Sequence, residues 1–221
     1  MKLKNRFELA LNWIERYTIK DGIAVTSKKL IPYPEVTGYF IPTLLAWNKV
    51  ETAKKYARML VTSQLNSGAW TDPTGTVSCI FDVGQIVRGL LALAQYSKDS
   101  QWDSSLSKAL IWSTSFIHED GSIESPDEEI WQGGVPLEVL LYALEPLRRA
   151  ALYLNDNCSV VKIDKCISWF LKQPNLTSFK HLSHFHAYIM EALFDLGYIE
   201  RCREGMQQVA SLQRRNGSVP A

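Results

Sequence analysis

The chain has no apolar run long enough to span a bilayer, no block of like charge and no Cys-x-x-Cys pair. The first absence excludes a transmembrane helix. The second removes the electrostatic footprint of a nucleic-acid binder, since 24 basic and 23 acidic side chains leave a formal net charge of +1. The third bears on the four cysteines, Cys79, Cys158, Cys166 and Cys202. They stand far apart and read as reduced thiols in a cytoplasmic protein, not as disulfides or a metal site. The opening residues, MKLKNRFELALNWIERY, start basic but lack the continuous apolar segment of a signal peptide. No stretch sustains the alternation of a strand, so the expected class is all-α.

What is present is a repeat. Residues 11–25 (LNWIERYTIKDGIAV), 56–72 (YARMLVTSQLNSGAWTD), 110–123 (LIWSTSFIHEDGSI) and 206–219 (MQQVASLQRRNGSV) share one form. Each is an amphipathic helical stretch, then a polar-Gly turn, then an apolar residue. A further relative, 163–176, has Pro174 where the glycine would stand. A spacing of about 45 to 55 residues is long enough for a helical hairpin per unit.

Between these stretches lie a second set: Glu35–Trp47, Asp82–Tyr96, Pro136–Leu154 and Ser183–Gly197. The first kind carries one apolar stripe, as in Leu3, Phe7, Ala10, Leu11 and Ile14, and predicts a helix with one face in water. The second kind, such as VGQIVRGLLALA, is apolar nearly all round and must be covered on most sides. Half-wet helices alternating with buried ones predict two concentric layers, an α/α toroid. An open helical solenoid is the rival arrangement. Counting units gives a single domain over 1–221 of about four and a half hairpins, ending after the outer helix of a fifth. Either the chain is truncated there, or the ring is open and another subunit or a partner protein covers the C-terminal edge.

Within YPEVTGYFIPTLLAW (33–47), Pro34 suits a first helical turn and Pro42 faces Gly38 four residues back, where the backbone has room to bend. Glu35 sits where a helix dipole favours negative charge.

LVTSQLNSGAW (60–70) resembles the QW motif of the squalene and terpenoid cyclase type of α/α toroid, with Leu60, Gln64, Gly68 and Trp70 in the motif positions. Gln213 and Gly217 echo it, with Val219 in place of Trp. The resemblance implies a structural role, the Gln meeting a neighbouring helix end and the Trp covering it. Terpene chemistry is disfavoured, because no Asp-x-Asp-Asp acid is present. The zinc-holding Asp, Cys and His set of prenyltransferase-like toroids and the Cys, Cys-His set of lanthipeptide cyclases are missing too. YPEVTGYFIPT, FDVGQIVRGLLAL and the later DGSI resemble uncharacterised bacterial toroid proteins of capsule, exopolysaccharide and O-antigen synthesis, relatives of the six-hairpin glycosidase type. That resemblance implies a sugar-polymer context without fixing a reaction.

In a toroid the inner helices open on one end of a shared cavity. This gathers Tyr33, Glu35, Thr37 and Tyr39 from the first unit, and Phe81, Asp82, Gln85 and Arg88 from the second. Trp131, Gln132 and Glu138 come from the third, and His181, His184 and His186 from the fourth. Carboxylates with flat aromatic rings suit sugar recognition. Paired carboxylates also suit glycosidic acid–base work, with Glu35 and Asp82 the first pair to consider. Asp82 would otherwise be the N-cap of its helix, and Arg88 would bind an anionic substituent or pair with a core acid. HLSHFH (181–186) offers His181 and His184 on one helix face, but hydrogen bonding or packing suits it better than zinc, and no cofactor is expected. Trp13, Trp47, Trp112 and Trp169 read as core. Trp131, in the polar loop 124–134, reads as a ligand contact.

The expected function is a carbohydrate-associated protein of surface-polysaccharide biosynthesis or modification that binds a glycan through Glu35, Tyr39, Asp82, Gln85 and Trp131, with Tyr33, Arg88, Glu138 and His184 in support. Cleavage, epimerisation and simple binding all remain open. The alternatives are a non-catalytic helical-repeat module that binds protein, as a homo-oligomer or with another partner, and a cyclase-like enzyme acting on an isoprenoid.

Overall fold

A computed structural model describes residues 3–126, 135–180 and 182–219. The fold is all-α. Helices α1 (Leu3–Arg16), α2 (Pro34–Ala46), α3 (Val50–Ser63), α4 (Ile80–Ser97) and α5 (Asp103–Thr114) are followed by α6 (Leu141–Tyr153), α7 (Asn157–Leu171), α8 (Ser183–Asp195) and α9 (Ile199–Leu212). The described strands are two-residue segments, β1 (Thr18–Ile19) and β2 (Gly22–Ile23), paired antiparallel across the Lys20-Asp21 turn. The sequence offers no alternation there because two residues per strand are too few to show one. No helix among the described residues is long and apolar enough to cross a membrane. The chain divides into two compact units, Met1–Ala109 and Leu110–Ala221.

In the first unit α2 begins as its residues dictate. Pro34 takes the first helical position, where no N–H is needed, and Tyr33 precedes it in an extended conformation. Pro42 lies inside the helix without ending it. It has no N–H to give the Gly38 carbonyl, and that carbonyl instead faces the neighbouring helix α4. A Cβ built on Gly89 would overlap the Gly38 carbonyl oxygen, and one on Gly38 would stand 2.6 Å from the Ile86 Cα. The two glycines therefore let the backbones of α2 and α4 touch, a spacing at which Cα–H···O contacts also form. Around this crossing α4 is buried on every side, through Ile80, Val83, Ile86, Val87, Leu90, Leu91, Leu93 and Ala94. Helix α3 covers it with one stripe, Ala53, Tyr56, Ala57 and Leu60.

The QW-like segment closes α3. Trp70 is buried and donates its indole N–H to the Leu60 carbonyl at 2.7 Å, satisfying one of the acceptors a helix end leaves free. The Gln64 amide donates to the Ser105 carbonyl on α5 at 2.9 Å and accepts from the Ser105 hydroxyl at 2.8 Å. Helix α1 packs through Phe7, Leu11 and Ile14, with Phe7 stacked on Trp47 (centroids 4.1 Å apart) and Glu8 paired with Lys49 at 2.9 Å. Trp13 corrects the expectation of a core residue. It is 54% exposed, because it lies beside the Phe7–Leu11–Ile14 stripe.

In the second unit α6 is the all-round buried helix, with Pro146 inside it, and α7 covers it through Ile163, Cys166, Ile167 and Phe170. The Tyr142 ring of α6 stacks on Tyr188 of α8. Helix α9 meets α8 at Gly205, whose missing side chain admits Met190.

The Gly38–Gly89 contact gives opposed expectations for Gly89→Ala. Helix propensity alone would stabilise by about 1 kcal/mol. Forcing a methyl against a backbone carbonyl costs about 1–3 kcal/mol or more. The contact should win, and the denaturant midpoint of Gly89→Ala should fall; a rise would mean the helices do not touch there.

Candidate functional site

The starts of α2 and α4 come together in the first unit. Tyr33, at the entry to α2, donates its hydroxyl to Asp82 Oδ2 at 3.3 Å. Glu35 lies in the first turn of α2 and Asp82 in the first turn of α4. The residue preceding α4 is Cys79, which makes no side-chain cap, so Asp82 is not the N-cap but the third residue of the helix. A separation of 47 residues in the sequence is thus closed by the glycine crossing further along the same two helices.

Burial controls the chemistry of the pair. Loss of water pushes the Glu35 carboxyl up from its ordinary 4.5 to about 7, and the nearby Asp82 charge adds to the rise. A helix N-terminus favours a carboxylate by about 0.3–1 kcal/mol. One pKa unit corresponds to 1.36 kcal/mol, so desolvation outweighs the dipole here. Tyr33 moves in the same direction, well above its ordinary value, through burial and then through Asp82. Near neutral pH the site therefore holds a half-protonated Glu35 and a phenol that stays protonated. Both can donate a hydrogen bond.

The other expected residues fall in different relations to this pair. Tyr39 is one helical turn beyond Glu35 on the same face of α2 and is 47% exposed, an available flat ring. Gln85 follows Asp82 by three residues on α4. It is fully buried, and neither atom of its amide has a hydrogen-bond partner among the described residues. Such a group is costly to bury unsatisfied. Arg88 is half-buried and points about 120° around α4 from Asp82. Thr37 is structural: its hydroxyl donates to the Tyr33 carbonyl at 2.7 Å and accepts from the Ile23 N–H at 3.0 Å, tying the hairpin to α2.

In the second unit, Glu138 is half-buried in a short 3-10 turn, Leu137–Leu140. His184 is exposed, against Phe185 and 6.1 Å from the Tyr188 ring. His186 is buried with its Nε2 3.3 Å from the Gly205 carbonyl oxygen, a packing histidine. Trp131, Gln132 and His181 lie outside the described residues. Among the described residues no group of three His, Cys, Asp or Glu could hold a metal ion. Burial pushes the Cys166 thiol up to about 12, which leaves it inert as a nucleophile.

Sequence reasoning missed two features. Tyr142 donates to Glu191 Oε1 at 3.1 Å beside its stack on Tyr188, an aromatic and acidic cluster between α6 and α8. Their i, i+3 spacing on α8 (Tyr188, Glu191) was the available signal. A shallow groove of about 430 Å³, lined by Lys20, Pro34, Met59, Thr62, Asp72 and Thr74 among others, was also missed. Neither Glu35 nor Asp82 lines it. Its single carboxylate, Asp72, is held below the usual range by the Thr74 hydroxyl and by backbone N–H groups, despite some burial. That saturation makes it the weaker chemical candidate.

Raised folded-state acidity has a measurable sign. Between pH 4.5 and about 7 the folded protein holds a proton on Glu35 that the unfolded chain has lost, so stability should fall as pH rises through this window. The loss should reach at most about 3.4 kcal/mol. Glu35→Gln should flatten it in chemical denaturation run from pH 4.5 to 8, and a slope unchanged by the substitution would contradict the assignment. No family model matches the chain, and no curated protein matches it.

Proposed function

We propose that the protein binds a glycan at the joined starts of α2 and α4, as a carbohydrate-associated α/α toroid of surface-polysaccharide biosynthesis or modification. The observation that carries the reading is the Glu35, Asp82 and Tyr33 cluster, one carboxyl kept half-protonated near neutral pH by burial beside a second that accepts a phenolic hydrogen bond. Sugar hydroxyls need both donors and acceptors, and this cluster supplies them. The exposed Tyr39 ring, on the face of α2 that carries Glu35, offers the flat surface on which the apolar side of a pyranose stacks. The Gln85 amide is a further polar group without a hydrogen-bond partner among the described residues.

The same cluster has the division of labour used in glycosidic acid–base chemistry. A carboxyl with its pKa raised to about 7 donates a proton to a leaving oxygen, while a charged carboxylate activates water or attacks. Glu35 takes the first role and Asp82 the second. The wider polysaccharide context comes from the resemblance of YPEVTGYFIPT and FDVGQIVRGLLAL to toroid proteins of that setting.

The isoprenoid alternative fares worse on acidity. Protonating an alkene demands a strong acid, and burial makes Glu35 a weaker one. The interaction-module alternative has an observation in its favour, the exposed apolar pair Leu9 and Trp13 on α1.

A glycan-array screen followed by calorimetry tests the proposal. Asp82→Asn should weaken binding of the captured glycan by about 1.5–3 kcal/mol, the range for hydrogen bonds to charged groups, and Glu35→Gln by about 1 kcal/mol, the range for an uncharged partner. Tyr33→Phe should cost about 1 kcal/mol. No glycan captured, or affinity unchanged in both carboxyl variants, would remove the site.

A further inference from the structure

The groove of about 430 Å³ adjoins the candidate site through one residue. Its lining runs from Lys20 to Gly75, within the first unit, and includes Pro34. Pro34 stands between Tyr33 and Glu35, with consecutive Cα atoms about 3.8 Å apart. The first residue of α2 therefore borders the groove, while its two neighbours belong to the cluster around Asp82.

The lining is rigid. Pro32, Pro34 and Pro73 have no rotamers to lose when a ligand arrives. Met59 of α3 is held against the hairpin, where a Cβ built on Gly22 would stand 2.6 Å from its Cε. The hydroxyl protons are already engaged. Thr62 donates to the Met59 carbonyl at 2.9 Å, Ser63 to the Leu60 carbonyl at 3.2 Å, and Thr74 to Asp72 Oδ1 at 2.7 Å. Asp72 Oδ1 also accepts the Thr76 and Val77 N–H groups, at 3.3 and 3.2 Å. Asp72 Oδ2 accepts only the Thr74 hydroxyl among the described residues. A carboxylate held this firmly is a poor acid or base but a well-fixed acceptor. The groove therefore offers a ligand acceptor oxygens set among apolar rings. Lys20, also in the lining, supplies a donor and offsets the Asp72 charge.

Such a lining matches an uncharged sugar, whose C–H faces are apolar and whose hydroxyls donate. A proline-rich peptide fits worse, because it docks between aromatic rings and none lines this groove among the described residues. An anion would face Asp72. We propose that the groove holds the uncharged sugar next to the one at Glu35 and Asp82, so that an internal stretch of polysaccharide is gripped across Pro34. This rests on the glycan reading above and adds to it. An open groove beside the acid pair lets the chain run on, where a closed pocket would admit only a chain end.

Calorimetry with the oligosaccharide captured on the array, and with its one-sugar and two-sugar fragments, tests the proposal. The two-sugar fragment should bind the wild type at least about tenfold tighter than the one-sugar fragment. Asp72→Asn should erase most of that ratio, whereas Asp82→Asn should weaken both fragments and leave the ratio in place. Should Asp72→Asn lower the melting temperature, Thr62→Arg, at an exposed position, narrows the groove instead. In methyl NMR the Met59 signal should shift with two sugars and not with one. A wild-type ratio near one, a ratio that survives both groove variants, or an unmoved Met59 methyl overturns the inference. If Asp82→Asn still weakens binding in that case, the α2–α4 site stands without the groove. Capture of no glycan removes both.

Discussion

The contact between Gly38 and Gly89 is the constraint on which the first unit depends. Two glycines let α2 and α4 meet backbone to backbone, and Pro42 leaves the Gly38 carbonyl free to face the neighbouring helix. Close-packed interiors do not absorb an extra methyl without displacement. The register of the two helices is therefore fixed near their middles, and their first turns arrive side by side. That placement joins Tyr33 and Glu35 to Asp82, and it also half-buries them. Geometry and acidity in this site thus have one cause.

Burial acts on each polar group according to its partner. Thr37 has two backbone partners and contributes order. Gln85 has none and lowers stability where it stands. Glu35 has a nearby like charge and loses its own instead. A protein that retains an unsatisfied amide on α4 and a half-protonated glutamic acid on the adjoining α2 is trading stability for something. A polyhydroxyl ligand, with donors and acceptors on every face, is the chemistry that would satisfy both.

Much of the helical plan could be read from residue patterns. All-round apolar character marked α4 and α6, and one-sided stripes marked α3 and α7, because burial leaves its period in the sequence. Pro34 and the glycine turns were legible for the same local reason. The candidate pair was less so. Glu35 and Asp82 could be named as acids near helix starts, but their approach depends on a crossing between Gly38 and Gly89, residues with no side chain to advertise it. Trp13 shows the limit of spacing arguments, since a tryptophan beside an apolar stripe is as compatible with solvent as with core. The Tyr142–Glu191 bond was harder to foresee, because it joins residues 49 apart and only the Tyr188, Glu191 spacing on α8 hinted at it.

The protonation state of Glu35 is the claim on which the functional account rests. A carbon-detected NMR titration of the glutamate carboxyls, in the wild type and in Asp82→Asn, tests it directly. The account predicts a midpoint of about 7 in the wild type. In Asp82→Asn it should drop but stay above 4.5, since burial is the larger cause. A wild-type midpoint near 4.5, or one indifferent to Asp82, would contradict it.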